Sequence, residues 1–480
     1  MPRQLANELM LLVLSHIEDA VTARNVSHVS SAFRKLALSY SYLWTTLDSR
    51  LGAIAALVYA TRSSNHPLNI LVHHRGTEPG SFTTIEPFLD ATLAHWSRWS
   101  RFTVDASSLQ VVENTTEGCA RVFLSDPNAD LRILEQVCLK ANSQWRAPLQ
   151  KYRELRCPPF VARHLVLDGI TSFEQPWLAV VEKLELRNLG LVVGQVLTLV
   201  RQAPRLHHLI TSLADPPQHL TRNRVQDLSP FQVTSLVSLV IEGTSPDPLA
   251  VLFKAMVMPN LRDLDVTCHA SSQDELARAF SHCSRDAPLD CLRVKYVHRT
   301  VKVVASRKRR KRAAAFPVPS PASWSETLAF PSLRSLTLEG TRTDDAALAG
   351  LVTLPRLDTL ALYFEDELSP TALAHFLRSR LNDPQVCALR ELKVAWCQHL
   401  TPSTAAAVTL LVPRCSWLAA EEDDGDNDDS DFDAGSTSDQ DETSSSDLDA
   451  NSVVESSPTT LRREAYYVGV VRKLNGAAPI

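Results

Sequence analysis

Residues Leu389–Thr401 read LRELKVAWCQHLT. Leu389, Leu392 and Val394 fall in the spacing apolar-x-x-apolar-x-apolar, and the alternation over the last three positions is that of a half-buried strand. The same hexad recurs up the chain: LEQVCL from Leu134, VEKLEL from Val181, LHHLIT from Leu206, LVSLVI from Leu236, LRDLDV from Leu261, LDCLRV from Leu289, LRSLTL from Leu333 and LDTLAL from Leu357, with a weaker ARHLVL from Ala162. Successive starts are 19 to 32 residues apart, except for 44 between Leu289 and Leu333.

Self-similarity at this period is the mark of stacked units, each a short strand that needs its neighbours to complete its hydrogen bonding. Between strands, DDAALAGLVTLP (Asp344–Pro355) and SPTALAHFLRSRL (Ser369–Leu381) carry Ala and Leu at helical spacing behind a capping Asp or Ser. Strand, turn, helix, strand predicts a right-handed α/β coil with a parallel sheet. These units resemble leucine-rich repeats. Cys397 stands where that family places an Asn or Cys bonded to the turn backbone, while Thr341, Glu365 and His269 take the position in other copies, so the array is irregular. The resemblance implies a curved sheet whose concave face binds a partner.

At the other end, Arg24–Asp48 reads RNVSHVSSAFRKLALSYSYLWTTLD, with Val26, Val29, Phe33, Leu36, Ala37 and Tyr40 at steps of three and four, the face of an α-helix. Ahead of it, LANELMLLVLSHIED places Leu5, Leu9, Leu12 and Val13 on one stripe, which Met10, Leu11, Leu14 and Ile17 widen past a single face. A helix so apolar must be covered from more than one side. Leu5, Glu8, Leu9, Val13, Leu14, Val26, Val29, Ser30, Phe33, Leu36, Ala37, Leu43 and Trp44 resemble an F-box, with Ala6 in place of its usual proline and Asp19-Ala20-Val21 at its helix junction. The resemblance implies docking on the adaptor subunit of an SCF-type cullin-RING ubiquitin ligase, and through it on a cullin. The implied contact residues are Leu5, Leu9, Val13, Leu14, Ile17, Val26, Val29, Phe33, Leu36 and Trp44. The other reading of these residues is a helical cap on the following repeats.

Two segments are electrically unusual in a chain of net charge −5. Residues 291–325 hold 10 Lys or Arg and no acid, including the run Arg307, Lys308, Arg309, Arg310, Lys311 and Arg312 ahead of three prolines. Such a run is expelled from packed structure and has the form of a nuclear import signal. Residues 421–449 hold 14 Asp or Glu and no Lys or Arg, are Ser-rich and nearly free of apolar side chains, and are expected to be disordered. The stretch AYYVGVVRKL (Ala465–Leu474) regains apolar character and reads as a strand able to dock on the array.

The expected fold class is therefore α/β: an F-box-like helical segment over 1–50, a connecting segment with divergent first repeats over 51–130, the leucine-rich-repeat solenoid over 131–418 with a basic, Pro-rich insertion at 300–325, an acidic tail over 419–460, and a C-terminal segment 461–480. Glycine is scarce, 14 in 480 residues or roughly 3 % against a usual share of about 7 %, which disfavours phosphate-cradling folds. The apolar run LMLLVL (9–14) is too short for a signal core or membrane span, and no CxxC pair occurs among nine cysteines, so reduced thiols and an intracellular place, nuclear or cytoplasmic, are expected. No nucleophile-base pair, phosphate loop or metal-ligand spacing is found; Cys268, Cys283 and Cys291, gathered with His269 and His282, match no common zinc spacing and read as core thiols, and His73-His74 and His207-His208 read as partly exposed strand residues. Neither catalysis, nor a cofactor, nor a membrane or nucleic-acid partner is expected. A protein substrate is, and the alternative is a nuclear interaction scaffold outside any ligase.

Overall fold

The structure, a computed structural model, describes residues 7–74 except 18, 85–125, 132–141, 160–170, 175–213, 229–269, 277–297 except 278 and 284–286, and 330–418 except 342, 366 and 398. Fourteen strands form one sheet whose spatial order is their order in the chain, every neighbouring pair parallel. They are β1 (Thr46–Asp48), β2 (Leu68–His74), β3 (Trp99–Ala106), β4 (Arg132–Ala141), β5 (Phe160–Asp168), β6 (Lys183–Leu191), β7 (His208–Leu213), β8 (Ser238–Thr244), β9 (Asp263–Cys268), β10 (Cys291–Tyr296), β11 (Ser335–Glu339), β12 (Thr359–Tyr363), β13 (Glu391–Ala395) and β14 (Arg414–Leu418). All the hexads predicted to end in strands do so. The result is an α/β solenoid of the leucine-rich-repeat type.

Each hexad delivers three buried side chains. In LRSLTL the first, Leu333, fills the turn before β11, and Leu336 and Leu338 point into the core, all at most 1 % exposed. The triplets Leu357, Leu360, Leu362 and Leu261, Leu264, Val266 repeat this. The unpaired backbone is handled just as regularly. The Asp290 carbonyl accepts the N–H groups of both Arg334 and Ser335 (2.9 Å each), Arg334 accepts those of Asp358 and Thr359 (2.9 Å each), and Asp358 those of Arg390 and Glu391 (2.7 and 3.0 Å). The same two-donor clasp runs back through Arg262, Val237, His207 and Glu182. A residue of any type serves, because only its carbonyl is used.

Helices cover the other side of the sheet. They include α1 (Asn7–Ser15), α2 (Ala20–Val26), α3 (Ser31–Ser39), α4 (Gly52–Arg62), α5 (Ile85–Leu93), α6 (Leu109–Ser125), α7 (Val193–Gln202), α8 (Pro246–Ala255), α9 (Asp345–Gly350), α10 (Pro370–Asn382) and α11 (Pro402–Thr409). Asp344 and Ser369 cap α9 and α10 by accepting the N–H of Ala347 and Ala372, as the segments predicted. One buried cluster runs without interruption from Leu14 to Val412.

The turns leaving the strands differ from rung to rung. Cys397 is buried with its thiol against the Leu362 and Ala395 carbonyls, which belong to β12 and β13 and not to the turn its position predicted. One rung earlier Glu365, fully buried, puts a carboxylate in the same place: one oxygen accepts from Thr341 N (2.8 Å) and Thr341 Oγ1 (2.9 Å), the other from Thr343 N (2.6 Å). Phe364 and Trp396 exit β12 and β13 at φ 56° and 57°, a left-handed conformation costly for aromatic residues, and stack face to face at 4.8 Å.

A second clamp is the buried guanidinium of Arg380 on α10. It donates to the carbonyls of Leu351, Val352 and Leu354 at the end of a 3-10 turn and to those of Leu357 and Cys387 at 2.7 Å each, tying three segments through their backbone.

Arg380→Leu should therefore remove the guanidinium from five carbonyls, of which that of Leu351 keeps a backbone donor in Leu354 N–H (3.2 Å), and lower unfolding stability by about 3–5 kcal/mol in urea denaturation followed by circular dichroism. Burial raises the Glu365 pKa above its ordinary value, against the N–H and hydroxyl bonds that hold it down. A carboxyl raised on folding stabilises the native state on the acid side, and that contribution is lost as pH climbs through the folded-state pKa. The melting-temperature advantage of wild type over Glu365→Gln should thus shrink as pH rises above the ordinary glutamate value of about 4.3; a gap that does not change with pH contradicts this.

Candidate functional site

The N-terminal helices have a local logic. Asp19 caps α2 by accepting from Thr22 N (2.7 Å), and Ser30 caps α3 by accepting from Phe33 N (3.2 Å). The second cap corrects the expectation of one helical face from Val26 to Tyr40: the chain breaks at residues 27–30, with Ser27 Oγ donating back to Arg24 O, so Val26 and Val29 do not share a stripe with Phe33 and Leu36.

Inward, Leu14 and Trp44 are sealed, at 1 % and 0 % exposure. Trp44 donates from Nε1 to the Ala37 carbonyl (2.8 Å), meets Tyr59 of α4 edge to face at 4.7 Å, and carries the Arg62 guanidinium over its ring. These two members of the expected contact set are therefore core residues, because the helices must first close on each other and on β1. Ile17, Val26 and Leu36 are half-buried against the same core, and Phe33 is half-buried. Leu5 and Ala6 lie outside the described residues, as do Arg307–Arg312, the acidic tail and the AYYVGVVRKL stretch.

Outward, Leu9 (51 % exposed), Val13 (56 %) and Val29 (68 %) remain open, joined by Leu12, Leu38 and Tyr42. The spacing also missed α4, whose Ile54, Leu57 and Val58 stand exposed at helical steps while Ala56, Tyr59 and Ala60 face the core. The signal was present, since GAIAALVYATR is apolar on both faces. Of the eleven large apolar side chains exposed among the described residues, nine lie between residues 9 and 58.

This end is fastened to the sheet by Arg50. Its guanidinium grips the fully buried carboxylate of Asp48 at the end of β1 and reaches Asp19, the α2 cap, at 3.1 Å. Burial opposes ionisation of Asp19, but the bonds from Thr22 and Arg50 outweigh it and hold its carboxyl below the usual range.

The face of the sheet away from the helices is polar and of mixed charge. On β6 the nearly buried Glu185 carboxylate takes Lys183 (2.9 Å), Arg187 (2.8 Å) and His164 of β5 (2.9 Å). Towards the C-terminal half, Glu339 pairs with Lys295 (2.8 Å) and Arg293 (3.6 Å), and an open hollow of about 430 Å³ is lined by Asp265, Arg293, Thr337, Ala361, Tyr363 and Lys393, among others. Burial raises the pKa of Asp265 and of the Tyr363 phenol. Arg293 and Lys393 stand on either side of the small Thr337 and Ala361 in one register row, which makes the hollow.

Cys268 and Cys283 are buried core thiols. Burial pushes Cys119 up to about 12 and Cys138 up to about 11, far from a nucleophile's range. Among the described residues no three His, Cys, Asp or Glu side chains gather as a metal site, and no helix is long and apolar enough to cross a membrane.

A scan against protein-family models finds no match, and a search of curated proteins finds none either. Among solved structures, the complex of Rad7 and Elc1 in yeast is similar at TM-score 0.36 and 14 % identity, covering 85 % of this chain and 95 % of that one. The complex of TLR13 with ssRNA13 is similar at TM-score 0.33 and 15 % identity, covering 74 % and 42 %. The solenoid assignment rests on the strand ladder, not on these likenesses.

Inward and outward residues should separate cleanly in denaturation. Trp44→Ala should cost about 3–5 kcal/mol, whereas Leu9→Asp and Ile54→Asp should each stay within about 0.5 kcal/mol of wild type.

Proposed function

We propose that this chain is the substrate-recognition subunit of an SCF-type cullin-RING ubiquitin ligase, a non-catalytic receptor that holds the adaptor with its N-terminal helices and a target protein on its concave face. The observation that carries the reading is the gathering of exposed Leu9, Leu12, Val13, Val29, Leu38 and Tyr42 on the helices that resemble an F-box. Exposed apolar side chains concentrated on one part of a molecule are the mark of a docking site. Leu14 and Trp44 act from below by fixing the helices, and Ile54, Leu57 and Val58 widen the surface.

Its mechanism is proximity. A target held on the sheet brings a lysine near a ubiquitin-charged enzyme carried elsewhere on the ligase, and effective concentration does the rest. Target affinity resides in a few anchors, for which Arg293, Tyr363 and Lys393 around the hollow are suited by chemistry. The place of action is the nucleus, the cytoplasm or both. A second reading, favoured by the Arg307–Arg312 run and the acidic stretch after it, is a nuclear interaction scaffold in which the helices only cap the sheet.

Co-purification with a recombinant adaptor separates the two. Wild type and the concave-face variant Arg293→Glu/Lys393→Glu should both retain the adaptor, while Leu9→Asp/Val13→Asp should lose it at least tenfold with an unchanged melting curve. An adaptor that wild type never retains leaves the scaffold reading standing.

A further inference from the structure

The two ends of the sheet are finished differently. β1 is closed by the N-terminal helices, with Trp44 and Leu47 fully buried beneath them. At the other end, nothing among the described residues pairs with the outer edge of β14. Arg414 N–H and the Leu418 carbonyl are used on the β13 side, so by strand alternation the N–H and carbonyl groups of Cys415 and Trp417 point outward.

Side-chain cover fails at the same place. The core-facing register row runs Leu360, Leu392, Cys415 and the next runs Leu362, Val394, Trp417; the first two members of each are at most 2 % exposed, but Cys415 and Trp417 are only half-buried. Leu410, just after α11, is 87 % exposed, and Leu381 at the end of α10 is 47 % exposed. These are the only exposed large apolar side chains among the described residues outside the N-terminal helices. An open edge flanked by bare apolar groups is a template for one more strand.

We propose that the C-terminal segment Ala465–Leu474, AYYVGVVRKL, is that strand: it adds beside β14 as the fifteenth rung, so that residues 419–464 become a loop held at both ends. Tyr466, Val468 and Val470 alternate with Tyr467, Gly469 and Val471, a composition suited to a pleated surface and set apart from the acidic, Ser-rich chain before it. Reach is no obstacle. Travelling back along the five residues of β14 takes about 17 Å, and a flexible link of the 46 residues 419–464 spans about 40 Å. One face of the added strand covers Cys415 and Trp417, and its backbone takes up their outward groups. The acidic stretch 421–449 is then presented at the C-terminal end of the solenoid.

The test is hydrogen exchange of the Arg414–Leu418 peptide in the full chain, in a chain ending at Thr460, and in the full chain carrying Val468→Pro/Val470→Pro. The expected result is exchange at least tenfold faster in both variants, with unchanged exchange at β1 and with protection restored to the truncated chain by a synthetic 461–480 peptide. Equal exchange in the full chain and the double-proline variant overturns the proposal even where truncation impairs folding. So does protection that rises with protein concentration alongside a dimer in light scattering, which gives the edge to a second copy of the chain.

Discussion

A parallel strand cannot complete its hydrogen bonding with the chain that immediately follows it. In this protein the carbonyl one residue into each hexad answers that constraint, holding two N–H groups of the next rung from Glu182 to Asp358. The bond is made by backbone alone, so the positions involved are free to be Glu, His, Val, Arg or Asp. What must be kept is the apolar triplet that sets the register, because a shift of one residue would turn every core side chain outward. The irregular turns follow from the same division. Cys397 lies against strand carbonyls and Glu365 accepts from the turn N–H groups of the preceding rung, and the ladder beneath them does not change.

An array built this way has a problem only at its ends, where a rung has one neighbour. The N-terminal end solves half of it with helices whose inner face, Leu14, Ala23, Ala37 and Trp44, joins the core directly. Their outer face leaves Leu9, Leu12, Val13 and Leu38 in water. Arg50, bridging Asp48 and Asp19, ties the cap of α2 to the end of β1.

The ladder was legible because its signal is repeated and of short range: each hexad from Leu134 to Leu389 ends in a strand of the expected register. The strands at residues 68–74 and 99–106 lie outside the run of hexads that begins at Leu134, yet they join the same sheet. The surface was less legible. Spacing alone assigns Leu9 and Leu14 to one group, and only packing shows that the first faces solvent and the second the core. The break at residues 27–30 was hidden because Val26, Val29 and Phe33 fit a continuous helix, and the Ser30 cap that ends it is a common residue. Arg380 gave no warning at all, since an arginine near the end of an amphipathic helix is ordinarily solvated.

Asp290 and Arg334 are joined by the clasp although 44 positions separate them in the chain, against 24 for the next pair, Arg334 and Asp358. The rung to which a strand belongs is thus specified by what it pairs with and not by how far along the polypeptide it lies. Contour length between rungs is an independent variable in this architecture, open to growth or to the splicing-in of foreign sequence without any change in the order of the sheet. The crossover between β10 and β11 is where that freedom has already been exercised.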